Sequence, residues 1–230
     1  MNENKVLRES KKYEAVIFDL DGTLLNTLED LMDSVNYGLK KYHMPVRSLE
    51  EIRQFVGNGV QRLIARAVPE ETDADMCSKV FAAFKEHYKE HCNDKTKLYP
   101  GIPELLAELK RRGFSIAIVS NKLQEGVDAL SSQYFHAYIE TAIGARDGIR
   151  KKPAPDSVLE ALKTLNIPKE SAVYVGDSEV DIATAQNVQM DCITVTWGFR
   201  TRKEQEAAGA SVFVDRPEEI IPLLYQTSKK

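Results

Sequence analysis

The sequence predicts an α/β protein: a parallel sheet covered by helices on both faces, with a block of helices inserted near its start. Short apolar runs recur at residues 15–17, 115–119, 172–175 and 192–195. Amphipathic helical segments separate the later runs, which is typical of strands buried on both faces. Between residues 28 and 91 the apolar spacing is helical and no convincing strand interrupts it. These observations favour one α/β core with a helical insertion.

The chain divides into a tail, a core and the insertion. Residues 1–12 are charged throughout and predict a solvated N-terminal tail. We expect the core to comprise residues 13–25 and 97–230, and the inserted helical domain to comprise residues 26–96. The two crossings between them are predicted near residues 24–27 and 94–100, where a Tyr-Pro-Gly turn marks the return to the core.

Each predicted element has a local signal. Residues 15–17 are a continuous apolar run, followed after a turn by apolar residues at three- and four-residue spacing. A helix is predicted at residues 103–112 because Gly113 can end it, and strand 115–119 follows. The remaining strands are 172–175, 192–195 and a short one at 212–214. The helical spacing of the insertion is carried by Leu28, Leu31, Val35 and Leu39, and by Val80, Phe81, Phe84 and Tyr88.

Composition excludes several classes of function. The 230 residues carry a net charge of −4 with both signs interspersed, which leaves no basic surface for nucleic acid. No apolar stretch is long enough to span a bilayer. Three scattered cysteines form neither a disulfide framework nor a zinc pattern, so a reducing, cytoplasmic setting is expected. His87 and His91 lie one helical turn apart among charged neighbours, which favours an exposed helix face over a zinc site.

Two carboxylates follow the first predicted strand. Asp19 and Asp21 are two residues apart, and Gly22 allows a sharp turn directly after them. Two close carboxylates repel each other and favour a cation or a shared proton, so such a pair is costly as architecture alone. A polar strand end followed by an Asp-Gly turn is the alternative interpretation of this segment.

Polar groups follow two further predicted strands. Ser120 and Asn121 come after strand 115–119, and Gly176-Asp177-Ser178 after strand 172–175. Ligands of open α/β sheets bind at the carboxyl ends of the strands, so these groups and Asp19 are expected to converge on one site. Individually, Ser120-Asn121 could be a helix cap with a turn, and Lys152 part of a solvated basic run.

Taken in order, four segments resemble the haloacid dehalogenase superfamily of aspartate-nucleophile phosphatases. They are Asp19-Leu20-Asp21-Gly22-Thr23, Ser120-Asn121, Lys152-Pro153 and Gly176-Asp177-Ser178-Glu179-Val180-Asp181. The resemblance extends from residue 15 to about residue 217. It implies a Rossmann-like doubly wound parallel sheet core with an inserted α-helical cap domain.

The resemblance also implies a role for each motif residue. Asp19 would be the nucleophile that forms an aspartyl-phosphate, and Asp21 the general acid and base. Lys152 would neutralise the nucleophile and the transferring phosphoryl group. Mg²⁺ would be held by Asp19, by the backbone carbonyl of Asp21 and by Asp177, and Asp181 would orient a metal-bound water.

Phosphate and substrate binding are predicted at two places. Ser120, Asn121 and the backbone N–H groups after Asp21, at Gly22 and Thr23, would hold phosphoryl oxygens. In the cap, residues 53–60 resemble a segment of phosphoglycolate phosphatases, with Gly57 allowing close approach and Asn58 available to a polar ligand. Arg53 or Arg62 could pair with a substrate carboxylate, and an ordinary turn between helices with surface charges is the equal alternative.

We therefore expect a Mg²⁺-dependent phosphomonoester hydrolase of the phosphoglycolate phosphatase type, acting on a small phosphorylated metabolite. Asp21 argues against the dehalogenase and phosphonate-cleaving branches, which lack it. Leu31 stands where β-phosphoglucomutases usually have histidine, so β-phosphoglucomutase-type transfer is less favoured, and Asn26 stands where relatives commonly have Asp. Pyrophosphate, a nucleotide monophosphate or a sugar phosphate is an alternative substrate, and a non-catalytic binding protein an alternative class. The residues do not distinguish a monomer from a homodimer.

Overall fold

Ten α-helices and eight strands make up the structure, a computed structural model that describes residues 11–225. The strands are β1 (Ala15–Phe18), β2 (Leu25–Asn26), β3 (Lys97–Leu98), β4 (Ser115–Leu123), β5 (Thr141–Ala145), β6 (Ala172–Gly176), β7 (Asp191–Val195) and β8 (Phe213–Val214). The helices are α1 (Leu28–Lys41), α2 (Leu49–Phe55), α3 (Val60–Ala67), α4 (Ala74–His91), α5 (Ile102–Arg111), α6 (Gln124–Tyr134), α7 (Asp156–Leu165), α8 (Glu179–Val188), α9 (Arg202–Ala207) and α10 (Ile220–Leu223).

Six strands form one parallel sheet in the order β5-β4-β1-β6-β7-β8. Alternate residues of β1 enter different apolar clusters, with Val16 and Phe18 on one face and Ala15 and Ile17 on the other. Because a strand turns its side chains alternately to the two faces, the sheet is buried on both sides. The predicted α/β class with a parallel sheet is confirmed.

The central strands bring the predicted motifs to one edge. β1 lies between β4 and β6, and Phe18 is in register with Ile118 of β4 and Val175 of β6. The chain therefore leaves the three strands at the same edge of the sheet. Asp19, Ser120 and Asp177 all follow these register positions by one or two residues, which places them at adjacent strand ends.

Helices α1 to α4 form a separate layer with its own apolar cluster. The chain enters and leaves this layer through β2 and β3, which pair antiparallel with Leu25 opposite Leu98 and Asn26 opposite Lys97. The buried Asp30 carboxylate in α1 accepts hydrogen bonds from the backbone N–H groups of Lys95, at 2.9 Å, and Thr96, at 2.8 Å. The two crossings are thus fastened to each other, next to the predicted cap boundaries at residues 26 and 96.

Several elements differ from the sequence expectations. Residues 1–10 of the predicted tail lie outside the described residues, but the Lys12 N–H donates to the Leu224 carbonyl at 2.8 Å and its ammonium pairs with Asp191. Lys12 therefore belongs to the edge of the core. Strand β4 continues to Leu123, past the predicted end at residue 119, through an irregularity in its pairing with β5. The Asn26 side chain accepts from the Leu28 N–H at 3.3 Å at the start of α1.

Within residues 11–225, no helix has both the length and the apolar composition needed to cross a bilayer.

Candidate active site

A pocket lies between the carboxyl edge of the sheet and the helical layer. The helical layer contributes mainly apolar groups to it, whereas the sheet edge contributes charged and polar side chains. The lining residues from the helical layer are Leu31, Val56, Gly57, Gly59, Val60 and Leu63. Those from the core are Asp19, Asp21, Ser120, Asn121, Lys122, Lys152, Asp177, Ser178, Phe199 and Arg200.

Asp19 is placed by the end of β1. Its N–H still donates to the Val175 carbonyl at 2.9 Å, so the backbone stays tied to β6 while the carboxylate enters the pocket. The Asp19 Oδ1 accepts from the Lys152 ammonium at 2.7 Å. Burial and the neighbouring Asp181 carboxylate raise the pKa of Asp19 well above its ordinary value, although Lys152 opposes this.

Lys152 is the buried cation at the centre of the acidic group. Its ammonium donates to Asp19 Oδ1 and Asp181 Oδ1, both at 2.7 Å, and to the Tyr174 hydroxyl at 2.9 Å. All three N–H donors of the ammonium therefore have a partner. Burial alone would lower the pKa of Lys152, but the two carboxylates raise it well above its ordinary value.

Asp177 and Asp181 follow β6 and differ in their partners. Asp177 Oδ2 accepts from the Phe199 N–H at 2.6 Å, and burial and the Asp181 charge raise the pKa of Asp177 to about 7. Asp181 Oδ2 accepts from the Ser178 hydroxyl at 2.7 Å within the capping box of α8. Burial would raise the pKa of Asp181, but Lys152 and Ser178 together lower it. Asp181 is thus the carboxylate that stays ionised beside Lys152.

The acidic group fits a divalent metal ion. One carboxylate oxygen from each of Asp19, Asp177 and Asp181 lies within 4.8 Å of the other two, and all three residues are buried. Oxygen donors at this spacing suit a hard cation, and the Lys152 ammonium contacts two of the three carboxylates. The predicted metal ligands were Asp19, Asp177 and the backbone carbonyl of Asp21. In the structure the third carboxylate of the group is that of Asp181.

Two glycines leave the space that Asp177 occupies. A Cβ on Gly22, which has φ +96°, would lie 2.6 Å from Asp177 Oδ2. A Cβ on Gly198 would lie 2.3 Å from the Asp177 Cβ. Both contacts are closer than real Cβ atoms approach, so the backbone can pass the carboxylate only without side chains at these positions. Gly22 is a predicted site residue, whereas Gly198 is not.

Gly22 and Thr23 act inside the turn and toward Asp177. The Gly22 N–H donates to the Leu25 carbonyl at 2.8 Å, and the Thr23 N–H to the Leu20 carbonyl at 3.4 Å. These N–H groups close the turn after β1, so they are not free to hold phosphoryl oxygens as predicted. The Thr23 hydroxyl donates to Asp177 Oδ1 at 3.4 Å, which helps to orient that carboxylate.

Ser120 and Asn121 have different roles at the end of β4. The Ser120 Oγ accepts from the Lys122 N–H at 3.1 Å, so its own hydrogen remains available to a phosphoryl oxygen. The Asn121 amide donates to the carbonyls of Gly57 and Lys152, at 3.2 and 3.0 Å, and accepts from the Lys152 N–H at 2.8 Å. These bonds occupy both N–H donors of the amide, so the Asn121 side chain positions Lys152 instead of donating to phosphate.

Asp21 lies beside a cation that sequence analysis did not identify. The Lys122 ammonium donates to Asp21 Oδ1 at 3.0 Å and to the hydroxyl of Tyr88 in α4. Lys122 is 3% exposed and Asp21 is 22% exposed. The Asp21 carboxylate therefore borders the pocket, separate from the Asp19 group.

The predicted cap residues lie partly at the pocket. Gly57 and Gly59 line it, whereas Asn58, between them, does not. The Arg53 guanidinium pairs with Glu50 at 3.0 Å on the outside of α2, and Arg62 is exposed. The structure thus brings neither arginine to the pocket.

Arg200, which the sequence analysis did not assign a role, joins the core to the helical layer. Its guanidinium donates to the carbonyls of Arg53 and Val56, both at 2.7 Å, and to Glu179 at 2.8 Å. The first two acceptors lie at the carboxyl end of α2, where carbonyls have no partner within the helix. Nothing in the sequence distinguished Arg200 from a surface arginine.

Comparison with known proteins shows what the whole chain is similar to. The protein-family model described as haloacid dehalogenase-like hydrolase matches residues 16–195. The chain is 30% identical to a phosphoglycolate phosphatase of Nitrosococcus oceani over 223 residues, covering 95% of this chain and 99% of that protein. It is 29% identical to an N-acetylmuramic acid 6-phosphate phosphatase of Pseudomonas aeruginosa, covering 93% and 95%. A crystal structure from Lactobacillus delbrueckii subsp. bulgaricus has a TM-score of 0.89 at 36% identity, covering 94% and 100%.

Proposed function

We propose a function from one premise: this chain belongs to the haloacid dehalogenase-like hydrolase family. Within that family it is a phosphatase that hydrolyses a small phosphate monoester through an aspartyl-phosphate. The observation that carries this proposal is the Lys152 ammonium, which bridges Asp19 and Asp181 at 2.7 Å each beside Asp177. A nucleophile, a buried cation and a metal-capable acidic group are together at the end of β1.

Asp19 is the proposed nucleophile. Its carboxylate attacks phosphorus, and the resulting aspartyl-phosphate divides one displacement into two easier steps. The difficulty is that an anion approaches an anion: at about 4 Å a pair of like charges repels by roughly 4 kcal/mol at an effective dielectric constant of 20. Lys152 offsets part of this repulsion because its ammonium already contacts Asp19. The Ser120 hydroxyl is placed to donate to a phosphoryl oxygen.

Mg²⁺ is the proposed metal. Asp19 and Asp177 would hold it, together with the predicted Asp21 carbonyl, because each keeps carboxylate lone pairs that the internal hydrogen bonds leave free. When bound, the ion would neutralise negative charge on the carboxylates and the phosphoryl oxygens. Asp181 lies in the same acidic group, but its oxygens already accept hydrogen bonds from Lys152, Tyr174 and Ser178, so we propose that it positions Lys152 and does not ligate the ion or orient a metal-bound water as predicted.

Asp21 is the proposed general acid and base. Its carboxylate borders the pocket on the side of the helical layer, where the leaving group of an ester bound at Asp19 would lie. In its protonated form it would give a proton to the leaving alkoxide, and the carboxylate that results would take one from the water that attacks the aspartyl-phosphate. Asp21 does not belong to the acidic group of Asp19, Asp177 and Asp181, so its carboxylate is available for this proton transfer.

Phosphoglycolate is the proposed substrate. Phosphoglycolate phosphatases such as the Nitrosococcus oceani protein match nearly the whole chain. The pocket agrees with a small substrate, because the helical layer closes it with the side chains of Leu31, Val60 and Leu63. A sugar phosphate is the second candidate, since the Pseudomonas aeruginosa enzyme named for one is about as similar, at 29% identity.

The test of the proposal is Asp19→Asn with a matched control. Asp75→Asn makes the same chemical change at an exposed aspartate of α4 that pairs with Lys79. We expect Mg²⁺-dependent release of phosphate from p-nitrophenyl phosphate to fall at least about 10³-fold in Asp19→Asn and to stay unchanged in Asp75→Asn. Thermal unfolding of both variants should remain cooperative.

Two results would contradict the proposal. Retention of a tenth or more of the activity in folded Asp19→Asn would exclude Asp19 as nucleophile. Phosphate release by wild-type protein that is unaffected by chelator would exclude the proposed metal. Comparing kcat/KM for phosphoglycolate, N-acetylmuramic acid 6-phosphate and pyrophosphate then separates the candidate substrates.

A further inference from the structure

Three basic side chains line the pocket in the part of the chain that the structure describes: Lys122, Lys152 and Arg200. Two of them are held by protein groups. Lys152 uses its three N–H donors on Asp19, Asp181 and Tyr174, and Arg200 uses four of its five on two backbone carbonyls of the helical layer and on Glu179. Lys122 is the remaining cation, and neither the nucleophilic step nor the metal site uses it.

Lys122 keeps one donor uncommitted. Its ammonium donates to Asp21 Oδ1 at 3.0 Å and to the Tyr88 hydroxyl, and within residues 11–225 it has no third acceptor. An ammonium has three N–H donors, so one remains for a group that enters the pocket. Its single carboxylate partner is 22% exposed while Lys122 itself is 3% exposed. Because the Lys122 ammonium is buried and its one carboxylate partner is partly exposed to solvent, binding of a second anion would be favourable.

The position of Lys122 relates it to the leaving group. Lys122 follows Ser120, which is proposed to donate a hydrogen bond to a phosphoryl oxygen, by two residues. Its ammonium contacts Asp21, the proposed general acid. An acid must lie about 2.6–3.2 Å from the oxygen that it protonates, here the bridging oxygen of the ester. Asp21 Oδ1 and the Lys122 Nζ are 3.0 Å apart. A group of the substrate that lies one carbon beyond the bridging oxygen therefore comes within hydrogen-bond reach of Lys122.

Among the described residues that line the pocket, those of the helical layer include no cation. The helical layer lines the pocket with Leu31, Val56, Val60, Leu63 and two glycines. Arg53 and Arg62, the residues expected to meet a carboxylate, lie outside the pocket. An anionic group on the leaving side of the ester would therefore meet Lys122 and an otherwise apolar surface.

We infer that Lys122 is a specificity-determining residue that binds a carboxylate of the substrate. The substrate is then a phosphomonoester in which one carbon separates the carboxylate from the bridging oxygen. The inference rests on the proposed function and deepens it, because it assigns recognition of the substrate's second anion to the core. Lys122 stays paired with Asp21 and donates its third N–H to the substrate carboxylate. Esters without the carboxylate lack this contact.

The experiment compares two substrates in two variants. Phosphoglycolate carries the carboxylate, and propyl phosphate has a chain of similar length without the charge. Lys122→Met removes the ammonium, and Lys89→Met makes the same change at an exposed lysine of α4. We expect the ratio of kcat/KM for phosphoglycolate to kcat/KM for propyl phosphate to fall at least about tenfold in Lys122→Met, mainly through the KM of phosphoglycolate. The ratio should be unchanged in Lys89→Met.

The ratio distinguishes recognition from support of Asp21. If Lys122 only positioned Asp21, both substrates would lose activity by the same factor and the ratio would stay constant, which would overturn the inference. A wild-type ratio near one would overturn it as well. Should Lys122→Met not fold, Lys122→Gln carries the same prediction, because its amide can still hydrogen-bond Asp21 and Tyr88 without a charge.

Failure of the inference is distinguishable from failure of the proposed function. If wild-type protein hydrolyses both esters with Mg²⁺ and the ratio does not depend on Lys122, the phosphatase stands and the assignment of Lys122 falls. If neither ester is hydrolysed, the proposed function itself is wrong.

Discussion

Replacing Asp177 by Asn should stabilise the metal-free protein while removing its response to Mg²⁺. Asp177 is buried, and its carboxylate oxygens lie near those of Asp19 and Asp181. Burial and the Asp181 charge raise the pKa of Asp177 to about 7, so the folded protein holds an ionised Asp177 at a cost above that pH. Asparagine keeps an acceptor for the Phe199 N–H and has no charge.

The magnitude follows from the rise in pKa. A change from 3.8 to about 7 corresponds to about 4 kcal/mol at about 1.36 kcal/mol per pH unit. The hydrogen bond from the Phe199 N–H loses its charge assistance in the variant, which costs about 1 kcal/mol. At pH 8 the variant should therefore be more stable by about 3 kcal/mol. For a chain of this size that is a Tm increase of roughly 6–12 °C.

The pH dependence has a definite sign. Because the pKa of Asp177 is higher in the folded than in the unfolded protein, the wild type loses stability as pH rises from about 4 to about 7 and no further above it. The amide that replaces this carboxylate in Asp177→Asn does not titrate. The advantage of the variant should therefore shrink by about 1.4 kcal/mol for each pH unit below about 7 and nearly vanish by about pH 5.

Thermal or urea unfolding in EDTA, at pH 5 to 8, measures this advantage. A second series with MgCl₂ should raise the Tm of wild-type protein and leave Asp177→Asn unchanged, because the variant lacks a metal ligand. Asp75→Asn, which alters an exposed aspartate, is the control in both series. If Asp177→Asn were less stable than wild type at pH 8 in EDTA, or if the difference were the same at pH 5, the argument from buried charge would be refuted.

Three further predictions concern the groups around Asp177. Lys152→Met leaves two buried carboxylates without their cation, so we expect a loss of about 3–5 kcal/mol in unfolding free energy together with loss of turnover, measured by urea unfolding and phosphate release. Gly22→Ala places a Cβ 2.6 Å from Asp177 Oδ2, so the stabilisation by MgCl₂ should disappear in thermal unfolding; an unchanged Mg²⁺ response would contradict the assigned contact. Arg200→Met removes two hydrogen bonds to the end of α2, so amide exchange at Val56 should accelerate by about 10–100-fold, and equal protection in variant and wild type would show that Arg200 does not hold the helical layer.

The convergence of the core motifs could be predicted because it depends on strand order alone. Asp19, Ser120 and Asp177 each follow an apolar run, and parallel strands end at one edge of a sheet. The position of Lys152 beside Asp19 came from family resemblance, since its loop has no periodic signal. The structure adds the reason: the Asn121 amide binds both backbone polar groups of Lys152.

Lys122 could not be predicted because its role depends on where β4 ends. The apolar run stops at residue 119, so the strand was predicted to end there, with Ser120 and Asn121 as phosphate-binding residues and a helix cap with a turn as the alternative. The strand continues to Leu123 and holds Lys122 in the core, where its ammonium reaches Asp21. Arg53 was predicted to meet a substrate carboxylate because it belongs to the cap segment that contains Gly57. Its side chain instead pairs with Glu50, three residues earlier, outside the pocket.

The contacts between core and helical layer start from residues adjacent to the reacting groups. Asn121, which holds Lys152, also donates to the Gly57 carbonyl, and Lys122, which holds Asp21, contacts Tyr88. Movement of the helical layer would therefore change the surroundings of both proposed catalytic groups.

The proposed selection of charge and of size would thereby be divided between the two layers. The helical layer lines the pocket with Leu31, Val60 and Leu63, which suit selection for size and apolar shape, whereas the cations among the described lining residues come from the core. Substitutions in α3 should alter which leaving groups fit without altering the proposed preference for a carboxylate. Val60→Ala is the simplest case: kcat/KM for bulkier neutral esters such as benzyl phosphate should rise, while the ratio of phosphoglycolate to propyl phosphate stays at the wild-type value. A changed ratio would mean that the helical layer also recognises charge, against the division that the lining residues indicate.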